Sequence, residues 1–250
     1  MNNKTQLLIC AGVLCAGMTT FGQAVGTSAP ANPTPPPRWE SSFAAGLTVT
    51  SGNSDSVTAT AQLQTAKKWD MNEVSLSLDG AYGKTDGNKS AELLRGIAQY
   101  NRLFTERFYG YLRFEAFHDA VADIEYRLTF SPGAGYYFIK EKLTTLRGEV
   151  GPGYVIEKLG SGTDEYATLR LAERFDHKFS DAFKVWQSVE FLPQVDRWGN
   201  FIMNAEVGIE TGLTKTLNLR TYAQDSYDNE PAPGRRKNDF KLVVALAYKF

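Results

Sequence analysis

The chain holds two histidines, His118 and His177, and each stands beside an aspartate, Asp119 and Asp176. An imidazole held by a carboxylate can activate water, and His118-Asp119 adjoins a segment that also holds Asp123. An outer-membrane hydrolase with a site at a barrel mouth near His118 is therefore one reading. Adjacent strand residues point to opposite faces, so on a strand His118 and Asp119 cannot pair directly. Neither histidine has a serine on its own strand face. Asn53-Ser54-Asp55 and Asp86-Gly87-Asn88 look like fragments of calcium loops, but each lacks the closing bidentate carboxylate. They also suit tight connections, where Gly and Asn accept positive φ. Gly133-Ala134-Gly135 and Gly151-Pro152-Gly153 are followed by no helix that could cradle a phosphate. No enzyme activity, metal or cofactor is expected.

A second set of charges is larger and more regular. Arg113 and Glu115, Glu125 and Arg127, Arg147 and Glu149, Arg170 and Arg174 are spaced by two or four, as are Glu206 and Glu210. Arg220, Asp239 and Lys241 lie in similar surroundings. Even spacing puts such residues on one face of a strand, and the signs are mixed. The reading is a polar interior. It either forms a narrow pore of weak selectivity or is sealed by salt bridges.

The elements that position these charges are strands. From Trp39 onward no apolar spacing of a helix is sustained, whereas period-two alternation recurs. Phe240, Leu242, Val244, Leu246, Tyr248 and Phe250 form one face of the last segment without exception. Twelve segments fit: 39–51, 56–68, 72–84, 90–103, 107–119 and 123–138, then 143–157, 164–178, 183–196, 200–213, 217–229 and 238–250. They exceed the five or six residues common in globular strands and suit tilted strands that cross a bilayer. Tight turns such as Phe104-Thr105-Glu106-Arg107 alternate with Gly/Asn/Asp-rich loops such as Arg197-Trp198-Gly199-Asn200. Short periplasmic turns, longer outer loops and an even strand count belong to outer-membrane barrels.

Aromatics fit two interfacial girdles. Trp39, Trp69, Phe104, Phe138, Phe179, Tyr248 and Phe250 fall at the turn end; Tyr82, Tyr154, Trp198 and Tyr227 fall at the loop end. A soluble lipocalin-like binding protein is the remaining alternative. Two features resist the barrel: Pro132, Pro152 and Pro193 fall inside strands, and Glu173 shares an apolar face with Leu169, Leu171 and Phe175. Bulges or kinks are expected at the first two prolines, in the sixth and seventh strands.

Composition bounds the rest. The 250 residues carry 27 Lys and Arg against 28 Asp and Glu, so no basic excess points to a nucleic-acid partner. A mean hydropathy of −0.32 excludes a bundle of apolar spanning helices but not a barrel, whose faces average out. Leu7 to Met18 is an apolar stretch of secretory length, and Gly22-Gln23-Ala24 offers small residues for cleavage. Residues 1–24 read as a signal peptide, 25–37 as a proline-rich linker and 38–250 as the barrel. Cys10 and Cys15 leave with the signal, so the mature chain has no thiol chemistry. The loop Pro231 to Lys237 could hold lipopolysaccharide phosphates through Arg235, Arg236 and Lys237, fold onto lumen acids, or stay in solvent.

Residues 38–250 resemble the bacterial family called domain of unknown function 481, known as salt-induced outer-membrane proteins. The resemblance rests on Ser51-Gly52-Asn53-Ser54-Asp55, Ala81-Tyr82-Gly83-Lys84-Thr85-Asp86-Gly87 and Glu125-Tyr126-Arg127-Leu128. It continues in Glu149-Val150-Gly151-Pro152-Gly153-Tyr154, in Tyr227-Asp228-Asn229-Glu230-Pro231-Ala232-Pro233-Gly234 and in the terminal Phe250. It implies a closed antiparallel transmembrane β-barrel in the cell outer membrane and no particular activity. It also implies a final strand, from Phe240 to Phe250, that the barrel-assembly machinery recognises. The partners expected are the lipid bilayer, that machinery and, at the outer loops, lipopolysaccharide.

Overall fold

A computed structural model describes residues 37–51, 56–85 and 88–250. The segments expected to be signal peptide and linker, apart from Pro37, lie outside the described residues, as do the first loop tip and Asp86-Gly87. Twelve strands follow in chain order, beginning with β1 (Trp39–Ser51), β2 (Ser56–Trp69), β3 (Asn72–Thr85) and β4 (Asn88–Leu103). The middle third holds β5 (Phe108–Asp119), β6 (Ile124–Lys140), β7 (Thr144–Leu159) and β8 (Gly162–Ser180). The last are β9 (Phe183–Pro193), β10 (Phe201–Gly212), β11 (Leu217–Asp228) and β12 (Asn238–Lys249). Each pairs antiparallel with its sequence neighbour, and β1 pairs with β12, so the sheet closes on itself. Closure gives every strand a partner on both sides, the condition for a sheet to span lipid.

The pleat sorts the residues. On β12, Phe240 to Tyr248 point outward and are 40–51% exposed, whereas Val243, Ala245 and Ala247 between them are at most 5% exposed. The same holds for Leu76 and Leu78 on β3, Leu112 and Phe114 on β5, and Val207 and Ile209 on β10. A soluble barrel shows the reverse, polar side chains outward and apolar ones within. The lipocalin-like alternative fails on this inversion, since an apolar wall of this extent is stable only against lipid.

At the rims, Trp39, Phe104, Phe138, Phe179 and Phe250 are exposed at the turn end, and Tyr82, Tyr154 and Trp198 at the loop end. Turn-end connections run two to four residues. Those at the other end run from two, between β7 and β8, to nine, between β11 and β12. Loop length therefore rises mainly in the last third of the chain.

The prolines are accommodated differently from expectation. Pro193 ends β9, three residues before the expected boundary, and removes no ladder bond inside the strand. Pro132 and Pro152 cause no register shift. Phe130↔Tyr154 and Ala134↔Val150 flank them in one register, which sets the two prolines opposite each other. Two missing N–H donors thus fall on a single rung, and the ladder resumes beyond it. The β6–β7 register instead shifts nearer the strand ends, at Ile124/Tyr126 and Tyr137/Ile139.

Candidate functional site: the barrel lumen

The inward faces meet along the barrel axis in three tiers. Nearest the loops, Arg127 on β6 pairs with Glu157 on β7 and, across the lumen, with Asp228 on β11 at 2.6 Å. The hydroxyl of Tyr166 donates to Glu157 at 2.9 Å.

The middle tier is a continuous chain. Arg95 on β4 and Arg113 on β5 each donate to Glu115 at 2.8 Å. The Nε of Arg113 also lies 3.5 Å from Glu190 on β9, four strands away around the wall. Glu190 accepts from Arg170 on β8 at 2.6 Å, and Arg170 donates to Glu149 on β7 at 2.8 Å. Arg147 lies 3.9 Å from the same Glu149, and the Arg170 guanidinium stands 5.2 Å from the Tyr111 ring centre. Four guanidiniums thus share three carboxylates across five strands.

Toward the turns neutral donors join the charged ones. Gln99 on β4 and Tyr109 on β5 donate to Glu149 at 2.9 and 2.8 Å. Tyr137 on β6 donates to Glu73 on β3 at 2.9 Å. Arg220 on β11 donates to Glu210 at 2.8 Å and to Gln62 on β2. Lys249 also pairs with Glu210. Beside these, Trp186 lies against Gly208, where a Cβ would come within 2.2 Å of the indole, and its Nε1 donates to Glu206. Gln224 donates to the other Glu206 oxygen at 2.7 Å.

Above the middle tier lies a cavity of about 160 Å³, bordered by Asp79, Arg95, Arg113, Asp119 and Lys241. The 229–237 loop turns inward over it. Ala232 is buried, and Arg236 and Lys237 stand on its rim.

Of the thirteen charged residues singled out by spacing, twelve belong to this interior. Glu125 does not. The register shift at Ile124/Tyr126 turns it outward, where it is exposed and pairs with Lys158. A bulge inserts one residue and so reverses facing beyond it. Spacing missed Glu190 and Arg95, which complete the middle chain. Glu190 shares its face with Lys184, Trp186 and Leu192, too mixed to mark as polar.

The histidines serve structure. His118 Nδ1 lies 2.8 Å from the carbonyl of Glu125, while Asp119 accepts the N–H groups of Val121 and Ala122 at 3.0 and 2.9 Å. Both therefore hold the β5–β6 loop. His177 meets Thr144 Oγ1 at 2.8 Å and lies between Phe175 and Phe179 in the turn-end girdle.

Among solved structures, the NanC porin matches with a TM-score of 0.57 at 7% identity, over 83% of this chain and all of that one. The KdgM porin in complex with disordered oligogalacturonate gives 0.48 at 10% identity, over 84% and 99%. The translocator domain of the autotransporter NalP from Neisseria meningitidis gives 0.49 at 10%, over 85% and 88%. These likenesses concern the fold. No curated protein matches the sequence. The family model described as Protein of unknown function, DUF481, matches residues 43–250, and the chain belongs to that family.

Proposed function

We propose that the protein is a non-enzymatic outer-membrane channel of narrow bore, passing small solutes through a lumen barred by ion pairs. The observation that carries this reading is the link from Arg113 through Glu190 to Arg170, which joins walls that are not adjacent in the sheet. Stability alone is a poor reason for such a link. Buried ion pairs often contribute less than well-packed apolar side chains of the same volume. A sealed wall protein would be at least as stable with a greasy interior. Charges that share partners can instead exchange them, opening a polar path without leaving any group unpaired.

The fold likeness to the NanC porin accords with this reading, and so does the inward loop that narrows the mouth without filling the cavity beneath it. Arg235, exposed beyond the rim, is the residue best placed for lipopolysaccharide phosphates. In planar bilayers the folded protein is expected to give discrete steps well below those of 16-stranded porins, whose lumens are open aqueous channels. Silence from protein verified as folded by heat-dependent gel migration would assign the barrel to a sealed wall instead.

Assembly is read from the seam. Phe250 exchanges both backbone hydrogen bonds with Ser41, at 3.0 and 3.2 Å, and so makes the last rung of closure. Deleting Phe250 is expected to lower outer-membrane insertion several-fold, measured as the heat-modifiable fraction in membranes. Unchanged insertion would remove the last residue from the recognition signal.

A further inference from the structure

The outer wall carries an acid, Glu173, where lipid should meet only apolar groups. Glu173 on β8 stands between Gly148 on β7 and Val189 on β9, in the outward register of Leu171 and Phe175. One of its carboxylate oxygens is covered by the wall and has no hydrogen-bond partner among the described residues, while the residue as a whole is half-buried and borders the wall's outer surface. The nearest cations in sequence are engaged elsewhere: Arg174 donates to Asp176, and Arg147 lies by Glu149.

Around this carboxylate the wall is hollowed into a groove of about 470 Å³. It exists because Gly148 and Ala134 carry little or no side chain between Phe138 and Tyr136 on one side and Leu171 and Phe191 on the other. A Cβ on Gly148 would come within 2.9 Å of the Phe138 ring, so the ring already leans over the gap.

A carboxylate in an apolar wall is costly unless a donor meets it, and unsatisfied buried acceptors are rare enough to need a cause. The donor must come from outside the chain and must carry its own apolar body. Glu173 lines the same groove as Phe138 of the turn-end girdle and Phe108 at the start of β5, and its partner Gly148 lies four residues along β7 from the start of that strand at Thr144. Short turns mark the periplasmic side, so the groove runs from the headgroup level of that leaflet, at Phe108 and Phe138, toward Glu173. We infer that this groove is a binding site for an aminophospholipid, its primary ammonium donating to Glu173 and one acyl chain lying along Gly148, Val150 and Leu171. The assignment is independent of whether the lumen conducts.

Native mass spectrometry of the folded barrel in detergent tests it, with short-chain phosphatidylethanolamine, phosphatidylcholine and phosphatidylglycerol as probes. The expected result is one phosphatidylethanolamine retained per barrel, about tenfold or more tighter than phosphatidylcholine, as one charge-assisted hydrogen bond requires. Phosphatidylcholine keeps the positive charge but has no N–H, so it isolates the hydrogen bond. The preference should disappear in Glu173→Gln, which keeps the shape, and total retention should fall in Gly148→Leu, which fills the groove. Heat-dependent gel migration verifies folding, and Glu173→Gln, being isosteric, keeps the test open if Gly148→Leu does not fold. Equal retention of the three lipids by the unaltered protein would overturn the proposal, as would a preference that survives Glu173→Gln. Masses at twice the chain that are lost in Gly148→Leu would give the groove to a second copy and overturn it equally.

Discussion

In the Glu190→Ala barrel, stability is expected to fall by about 3 kcal/mol and conductance to rise with a shift toward anions. Glu190 is the carboxylate that Arg113 and Arg170 share, and the side chains of all three are largely buried. Removing one partner of a buried pair leaves the other charge uncompensated, which is worth about 3 to 5 kcal/mol in well-shielded sites. A lumen that admits water puts the loss at the lower end. The same change leaves Arg95, Arg113, Arg147 and Arg170 facing only Glu115 and Glu149 at mid-height. The passage becomes both wider and more positive. The denaturant midpoint in lipid vesicles reports the first effect, and single-channel steps with the reversal potential in a salt gradient report the second. Glu190→Gln separates charge from size. If ion pairing bars the lumen, Gln behaves like Ala; if bulk bars it, Gln conducts like the unaltered protein. Arg113→Ala combined with Glu190→Ala should cost less than the sum of the two single changes, because the stranded charge is gone. Conductance and selectivity untouched by Glu190→Ala would remove the middle chain from the passage.

The wall was legible in sequence because lipid imposes a strict rule on one face. β12 obeys it at every outward position from Phe240 to Tyr248, and its observed span differs from the expected one by a single terminal residue. The interior imposes no such rule, and legibility fails there. Trp186, Tyr109, Tyr111 and Tyr137 are buried inward beside charges, so the polar face of a strand need not look polar. Arg127 and Asp228 are 101 residues apart in sequence, and no local spacing indicates that they meet. Glu125 faces outward because of a bulge that period-two counting steps over. The prolines looked like isolated faults until the register set Pro132 opposite Pro152, where two faults share one rung. Glu173 was the opposite case: alternation placed it on the lipid face, and the structure keeps it there.

The largest loss of folding is expected at the seam where the two ends of the barrel close, in Gly46→Val. Gly46 on β1 stands opposite Ala245 on β12. A Cβ added there would lie 2.1 Å from the carbonyl oxygen of Val244 and 2.6 Å from the Ala245 Cα. These are main-chain atoms, so no side chain can swing aside to make room. Inside the seam, Ala44, Val243, Ala245 and Ala247 are buried with the Trp186 and Tyr222 rings in one cluster, and the interior offers no slack either. Valine would have to push β1 from β12, and the two strands hold each other through ten paired positions in one register. In water such a gap would be hydrated; in lipid each freed N–H or C=O costs several kcal/mol. Pairing of the first strand with the last is also the least local contact in the chain, formed only after the rest of the wall can hold the ends together. Refolding into vesicles should therefore drop at least tenfold, read as the heat-modifiable band, a consequence of more than about 1.4 kcal/mol of lost closure energy. Gly80→Val is the control. Gly80 lies on the outer face of β3 with its nearest foreign atom 3.9 Å from the added Cβ, so a β-branched side chain there should leave folding unchanged or improve it by up to about 1 kcal/mol. If the two valines behave alike, close approach of the main chains is not what holds glycine at position 46.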